Sequence, residues 1–257
     1  MSYLFGDTDR AALRLKVLAD VYAASSRAFL QEVVQTPPQL ALDLGCGPGY
    51  TTHLLAEATQ CARAIGLEYS EHFVALAARN ATERVTFVCH DVTRVPFPTG
   101  PADLISCRLL LTHLQDPQTV IDRWATQLRP GGFLLLEEVE WIQTDQPLFR
   151  TYLGIVAAML EQQHNQLYIG PLLESLPVSA ELSRGLSRIY RLPVSTAQAA
   201  TMFSLNIAAW QSQPFIQQRY GAQMIGQLED DLYALAETST SEGEIEWGMR
   251  QIAYERL

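Results

Sequence analysis

Three glycines at alternate positions, Gly45, Gly47 and Gly49, constrain this chain more than any other feature. They follow an apolar run, Leu40–Leu44, broken only by Asp43. Thr51-Thr52 and an apolar-periodic segment, Leu54, Leu55 and Ala58, come next. The pattern predicts a strand, a tight turn and a helix start. Glycine lacks Cβ, so it accepts positive φ and lets a ligand lie against the backbone. The helix that follows offers N–H groups at its N-terminus. Such a turn at the carboxyl end of a strand is a nucleotide-type binding place. What it can hold depends on what the other strand ends supply.

The rest of the chain is organised around that turn. Asp7, Thr8 or Asp9 can cap a first helix. Apolar residues recur at helical spacing from Ala11 to Val34, until Thr36-Pro37-Pro38 stops them. Further strands are expected at Ala64–Leu67, Val85–Cys89, Asp103–Cys107 and Phe133–Glu138. Helices starting at Ser70 and Gln118 separate them, and Arg129–Gly132 reads as a turn. This alternation predicts an α/β fold with a doubly wound, mostly parallel sheet. Beyond it, helices are expected at Pro147–Gln163, Leu172–Leu186, Thr196–Gln211 and Phe215–Thr238. Strands are expected at Ser187–Leu192 and Glu244–Tyr254, which brings the sheet to seven.

Composition narrows the function classes. The 257 residues carry a net charge of −10, with 18% charged and 48% hydrophobic residues. That balance is globular, and no apolar run approaches the ~20 residues needed to span a bilayer. Met1–Arg10 lacks the basic-then-apolar pattern of a signal peptide, so the expected location is the cytoplasm. An acidic chain is a poor match for a phosphate backbone, which argues against nucleic acid. The single lysine, Lys16, sits in the first amphipathic helix and reads as a solvated helix-face residue. The four cysteines, Cys46, Cys61, Cys89 and Cys107, form no C-x-x-C pair. Three of them fall near strand ends, where they read as small buried residues rather than as a soft-metal site.

The strand ends themselves are chemically pointed. The second strand ends in Glu68, about 20 residues after the turn, where a carboxylate can accept both hydroxyls of a ribose. The third is followed by Asp91-Val92, a carboxylate for an exocyclic amine and an N–H for a ring nitrogen. The fourth ends in Cys107-Arg108. Singly, Glu68 and Asp91 could be helix-capping or loop carboxylates; their arrival on successive strand ends is the stronger signal.

With these residues assembled, the chain resembles the class I S-adenosylmethionine-dependent methyltransferases, in their small-molecule, UbiE-like branch. The matching stretches are LDLGCGPG (Leu42–Gly49), GLEYS (Gly66–Ser70), CHDVTRVPFP (Cys89–Pro98), ADLISCRLLLTHLQDP (Ala102–Pro117) and LRPGGFLLLEE (Leu128–Glu138). The resemblance implies a seven-stranded Rossmann-like sheet with an added helical cap. It implies an N-terminal helical lid over residues 1–38, a cofactor-binding core over 39–142, and cap helices plus the last core strands over 143–257. It places Asp43, Gly45, Cys46 and Gly47 around the methionine part of the cofactor, S-adenosylmethionine. Glu68 takes the ribose, Tyr69 stacks on adenine, and Asp91 and Val92 take its edge. The Cys107 backbone and Arg108 lie toward the methionyl end, and Tyr3 closes the lid. The fourth strand carries Ser106-Cys107-Arg108-Leu109 in place of the Asn/Asp-Pro-Pro-Tyr/Phe signature, which argues against base methylation. A dinucleotide oxidoreductase, the rival use of a glycine turn, is disfavoured by the G-x-G-x-G spacing.

The implied partner is a small methyl acceptor, with neither nucleic acid nor membrane. The expected cap is apolar and rich in glutamine, and its aromatics include Tyr152, Tyr168, Phe203, Trp210 and Phe215. They suit either a pocket for a largely apolar molecule or an ordinary packed interior. A general base is needed only if the acceptor must lose a proton. His113, Glu138, His164 and Tyr22 are candidates, no catalytic residue is assigned, and no metal-ligand spacing is present. The alternative is a non-catalytic protein of the same fold that binds the cofactor alone.

Overall fold

A computed structural model describes residues 7–238 and 245–257. The sheet is built from β1 (Leu40–Leu44), β2 (Arg63–Glu68), β3 (Val85–Cys89), β4 (Ala102–Arg108), β5 (Leu128–Thr144), β6 (Leu182–Val194) and β7 (Ile245–Arg256). Their spatial order is β3-β2-β1-β4-β5-β7-β6. β1 pairs in parallel with both β2 and β4, β2 with β3, and β4 with β5. The order therefore reverses at β1, which puts the glycine turn at the switch point where open α/β sheets bind ligands.

The helices are α1 (Asp9–Val33), α2 (Tyr50–Thr59), α3 (Glu71–Ala78), α4 (Pro117–Ala125), α5 (Pro147–Gln162), α6 (Gly170–Ser175), α7 (Thr196–Trp210), α8 (Pro214–Arg219) and α9 (Ala222–Thr238). Capping fixes several starts. The Ala11 amide donates to Thr8 Oγ1 at 3.3 Å, so Thr8 is the cap that the sequence left open among three. Ser70 Oγ accepts from the Phe73 amide at 3.2 Å, and an Asp116 oxygen accepts from the Thr119 amide at 3.2 Å.

The described chain divides into two compact units. One holds residues 22–140, 168–190 and 249–257; the other holds 7–21, 141–167, 191–238 and 245–248. In the first, strand alternation sorts side chains onto two faces. Leu40, Leu42, Leu44, Ile65, Ile105 and Leu134 form one core layer with Ile121 and Trp124 of α4 and Leu173 of α6. Ala41, Ala64, Leu104 and Leu135 form the other with Phe29, Leu30, Leu55 and Ala56 of α1 and α2. The second unit is mainly helical. The Tyr152 and Phe203 rings stack with centroids 4.0 Å apart, and Phe149 meets Phe203 edge-on at 5.3 Å. Tyr152, Phe203 and Trp210 are buried, so these three aromatics are packed interior. Among the described residues, no helix is long and apolar enough to cross a membrane.

Three local expectations need correction. The helix expected over Leu172–Leu186 ends at Ser175, and Leu182 opens β6. Pro177 explains the stop, because a proline denies the helix its next donor and disfavours helical geometry before it. The helix expected over Phe215–Thr238 is two, α8 and α9, separated at Gly221 with φ of 79°. Arg129–Gly132 is an irregular head of β5 rather than a free turn: pairing slips between Ala102 and Leu104, and Gly131 takes φ of 75°.

Candidate functional site

The site is built on the glycine turn. Gly45, Gly47 and Gly49 all take left-handed backbone, with φ of 67°, 53° and 91°. Alternate glycines are needed because side chains rarely tolerate that region. The turn is clamped onto β2: the amides of Gly45 and Cys46 donate to the Leu67 carbonyl at 2.8 and 3.2 Å. Such closeness requires Gly66 on β2. A Cβ there would lie 2.6 Å from Cys46 Sγ and 2.7 Å from both Phe87 and Thr52.

Two carboxylates hold the turn from either side. Asp43 is buried, and its Oδ2 accepts from the hydroxyls of Thr51 at 2.5 Å and Thr52 at 2.7 Å. Burial pushes its pKa up to about 6, against the pull of the two threonines and of the Arg108 charge. Glu68 reaches across from β2. Its Oε2 accepts from the Gly47 amide at 2.9 Å and its Oε1 from the Ser70 amide at 2.9 Å. Glu68 is thus a clip between two loops, and each oxygen keeps a lone pair for a further donor.

Asp91 is more committed. Its Oδ1 accepts from the Thr93 amide at 3.0 Å and the Thr93 hydroxyl at 2.7 Å, while Oδ2 pairs with Arg94 Nε at 3.3 Å. Partial burial raises its pKa, but the Thr93 bonds and the nearby Arg94 charge outweigh that and leave it lowered. Trp124 of α4, a residue the sequence reading did not single out, donates its indole N–H to the Val92 carbonyl at 2.8 Å and so fixes this loop. Tyr69 stands 63% exposed beside Glu68, leaving an aromatic face open.

β4 and β5 supply the other wall. Cys107 is buried, and burial raises its thiol pKa well above the ordinary value, as it does for Cys46. A thiol held protonated in this way is a poor nucleophile. Cys89 is exposed, and the described residues hold no group of three or more metal-ligating side chains. Arg108 donates to Ser26 Oγ of α1 at 3.0 Å, and its guanidinium lies over the Tyr22 ring at 5.6 Å. Behind Ser26 stands Glu137. It accepts from the hydroxyls of Ser25, at 2.7 Å, and Ser26, and from the Gln251 amide at 2.7 Å. The adjacent Glu138 points to the opposite face. Its Oε1 accepts from the amides of Leu110 and Leu111, both at 2.8 Å, while its buried Oε2 has no partner among the described residues. Burial pushes its pKa up to about 8 despite those two donors. Leu110 in turn packs on the glycine turn, within 2.9 Å of where a Gly45 Cβ would stand.

Residues 42–136 match a family described as a methyltransferase domain. Over these residues the chain is similar to methyltransferase domains. Among curated relatives, it is 34% identical over 119 residues to a trans-aconitate 2-methyltransferase of Azoarcus sp. (strain BH72). That match covers 46% of this chain and 46% of the relative, so it spans about half the length of either. Among solved structures, coclaurine N-methyltransferase bound to N-methylheliamine and S-adenosylhomocysteine aligns with a TM-score of 0.55 at 14% identity, over 91% of this chain and 72% of that one. A cyclopropane synthase of Mycobacterium tuberculosis aligns at 0.58 and 15% identity, over 91% and 84%. At such identities the structural likeness establishes the fold.

The donor set of the site fits the family's cofactor. Its rim offers carboxylate acceptors in Asp43, Glu68 and Asp91, with guanidinium groups in Arg108 and in Arg94, the latter paired to Asp91; the chain's one lysine, Lys16, lies on α1. That set suits a cationic nucleoside bearing a diol, an ammonium and a carboxylate, and not a polyphosphate. The structure brings Asp43, Gly45, Cys46, Gly47, Glu68, Tyr69, Asp91, Val92, Cys107 and Arg108 to the ends of adjacent strands. Tyr3 lies outside the described residues. Sequence reasoning missed Ser25, Ser26, Glu137 and Gln251. A signal was present: Tyr22, Ser25, Ser26 and Phe29 share one helical stripe, and two serines on a core-facing stripe need polar partners.

Proposed function

We propose that this chain transfers a methyl group from S-adenosylmethionine to a small, largely apolar acceptor. The observation that carries the proposal is the acceptor-rich rim around a left-handed glycine turn, where Asp43, Glu68 and Asp91 stand at successive strand ends. Bound there, the cofactor supplies a methyl group already activated on a sulfonium. The protein's part is then alignment and exclusion of water. Asp43 is placed for an ammonium, Glu68 for the ribose hydroxyls, Tyr69 for the adenine face, and Asp91 with the Val92 amide for the adenine edge. Arg108 serves the amino-acid end. The relatives' names, trans-aconitate 2-methyltransferase and coclaurine N-methyltransferase, support a small-molecule acceptor.

No general base is assigned. Glu138 holds its proton at neutral pH, and burial raises the pKa of Tyr22, which Arg108 lowers only in part. Proton removal by either is unfavourable at neutral pH. The test is release of S-adenosylhomocysteine from S-adenosylmethionine against a panel of small apolar acceptors. Acceptor-dependent release is expected. Cofactor binding with no release across the panel favours the non-catalytic alternative.

A further inference from the structure

One buried carboxyl of the sheet unit holds a bend whose side chain touches the glycine turn. Glu138 of β5 is fully buried. Its Oε1 accepts from two consecutive amides, those of Leu110 and Leu111, both at 2.8 Å. These residues open the connection from β4 to α4, which starts with Leu109 in left-handed backbone at φ of 54°. A bulky side chain rarely takes that region, so the bend persists only where its surroundings impose it. Here β5 imposes it. The Leu109 amide donates to the Glu137 carbonyl at 3.1 Å, and the next two amides go to the Glu138 side chain. Past the bend, the His113 and Leu114 amides donate to the carbonyls of Leu110 and Leu111 at 2.8 and 3.1 Å, closing a short turn.

The bend seats Leu110 on the glycine turn. Both of its methyl carbons lie 2.9 Å from the place a Gly45 Cβ would take, so the side chain fills the room that glycine leaves. Its neighbour Leu111 is buried in the sheet core. The turn is also clamped by the Leu67 carbonyl of β2, which accepts from the Gly45 and Cys46 amides. It is thus gripped by a backbone carbonyl and by Leu110, and the second grip runs back to one carboxyl. The neutral form of that carboxyl suits the task. A protonated carboxyl presents one carbonyl acceptor and one O–H donor, the pattern of a primary amide. An acid one methylene shorter cannot reach both amides from the same backbone.

We propose that Glu138 is a positioning residue for the glycine turn, acting through the Leu109–Leu111 bend and the Leu110 side chain. Its bearing on cofactor affinity rests on the reading that this turn holds S-adenosylmethionine. Glycine loses more freedom on ordering than any other residue, so a turn with three of them takes its shape from what packs on it. With Leu110 withdrawn, the turn samples other conformations, and ligand binding then carries the cost of ordering it.

The experiment is amide hydrogen exchange of the full, ligand-free chain, read at Gly45, Cys46, Gly47 and Gly49, with calorimetric binding of S-adenosylhomocysteine alongside. Glu138→Asp keeps the acid and shortens its reach. Glu138→Gln gives up the acid and keeps the reach. In Glu138→Asp the turn amides are expected to exchange about tenfold faster, while amides inside the β1–β2 pairing change far less. Affinity falls severalfold with it. Glu138→Gln keeps both turn protection and affinity within about twofold of wild type. Leu110→Ala leaves the Glu138 bonds in place and should loosen the turn as Glu138→Asp does. Combining the two should go no further than either alone, because they act along one route. A merely structural role speeds exchange evenly across the sheet unit, and independent effects multiply when the two are combined. Either result overturns the proposal, as does a turn equally protected in Glu138→Asp and wild type. If the wild type does not bind S-adenosylhomocysteine, the cofactor reading fails, and the exchange pattern still decides whether Glu138 positions the turn.

Discussion

The strand-end rim and the aromatic interior of the helical unit bury their side chains by opposite rules. At the rim directional bonds hold the carboxylates, Asp43 by two hydroxyls, Glu137 by two serines and Gln251, Glu68 by two loop amides, with the buried Oε2 of Glu138 the exception. In the helical unit Phe149, Tyr152 and Phe203 pack ring on ring. Asn206 Oδ1 and Trp210 Nε1 are buried without a partner among the described residues. Directional bonds demand particular residues at particular positions. Apolar packing demands volume. The rim therefore specifies what it can bind, while the helical interior mainly specifies that it folds.

The comparison can be attacked first where the expected effect is largest. Phe203→Ala removes a ring stacked on Tyr152 and should cost about 3–5 kcal/mol in urea unfolding. Affinity for S-adenosylhomocysteine, measured well below the melting temperature, should stay within about twofold. A large loss of affinity at preserved folding would erase the distinction between the two regions.

Gly66→Ala comes next. Its new Cβ meets Cys46, Thr52 and Phe87 at once, so it should cost about 2–3 kcal/mol, and here affinity should fall with stability because the turn is displaced. Stability lost without affinity would show that the turn tolerates displacement.

A smaller effect concerns pH. Glu138 has its carboxyl raised from 4.5 to about 8 in the folded chain. Between those values the unfolded chain has lost the proton and the folded chain keeps it, so stability falls as pH rises through this window. Asp43 acts in the same direction at lower pH, from 3.8 to about 6. Glu138→Gln keeps an acceptor for the Leu110 and Leu111 amides and removes the titration. It should match wild type near pH 4.5 and become progressively more stable than wild type toward pH 8, read from melts across pH. Parallel pH profiles for the two proteins would refute a protonated Glu138.

How far the sequence carried each region follows from the same contrast. The glycine turn and the strand ends that carry Glu68 and Asp91 were legible because left-handed turns favour glycine and strands alternate with helices along the chain. The Ser26–Glu137 chain was not, because its members lie 111 residues apart and each alone reads as an ordinary residue of its element. The 182–194 strand was misread as partly helical. Leu182 and Leu186 sit at i and i+4, which suits a helix as well as a strand, and Pro177 was the deciding signal passed over. In the helical unit the aromatics were legible as buried, yet burial alone names no acceptor.

If the rim binds an S-adenosyl nucleoside, Glu68 is its ribose-binding carboxylate. Calorimetry of S-adenosylhomocysteine against wild type, Glu68→Ala and Asp91→Ala tests this most directly. One ligand per chain is expected, weakened at least tenfold by Glu68→Ala, about 1.4 kcal/mol. Asp91→Ala should weaken it only about threefold, because Asp91 already serves Thr93 and Arg94. No binding to wild type, or equal binding to wild type and Glu68→Ala, would contradict the account.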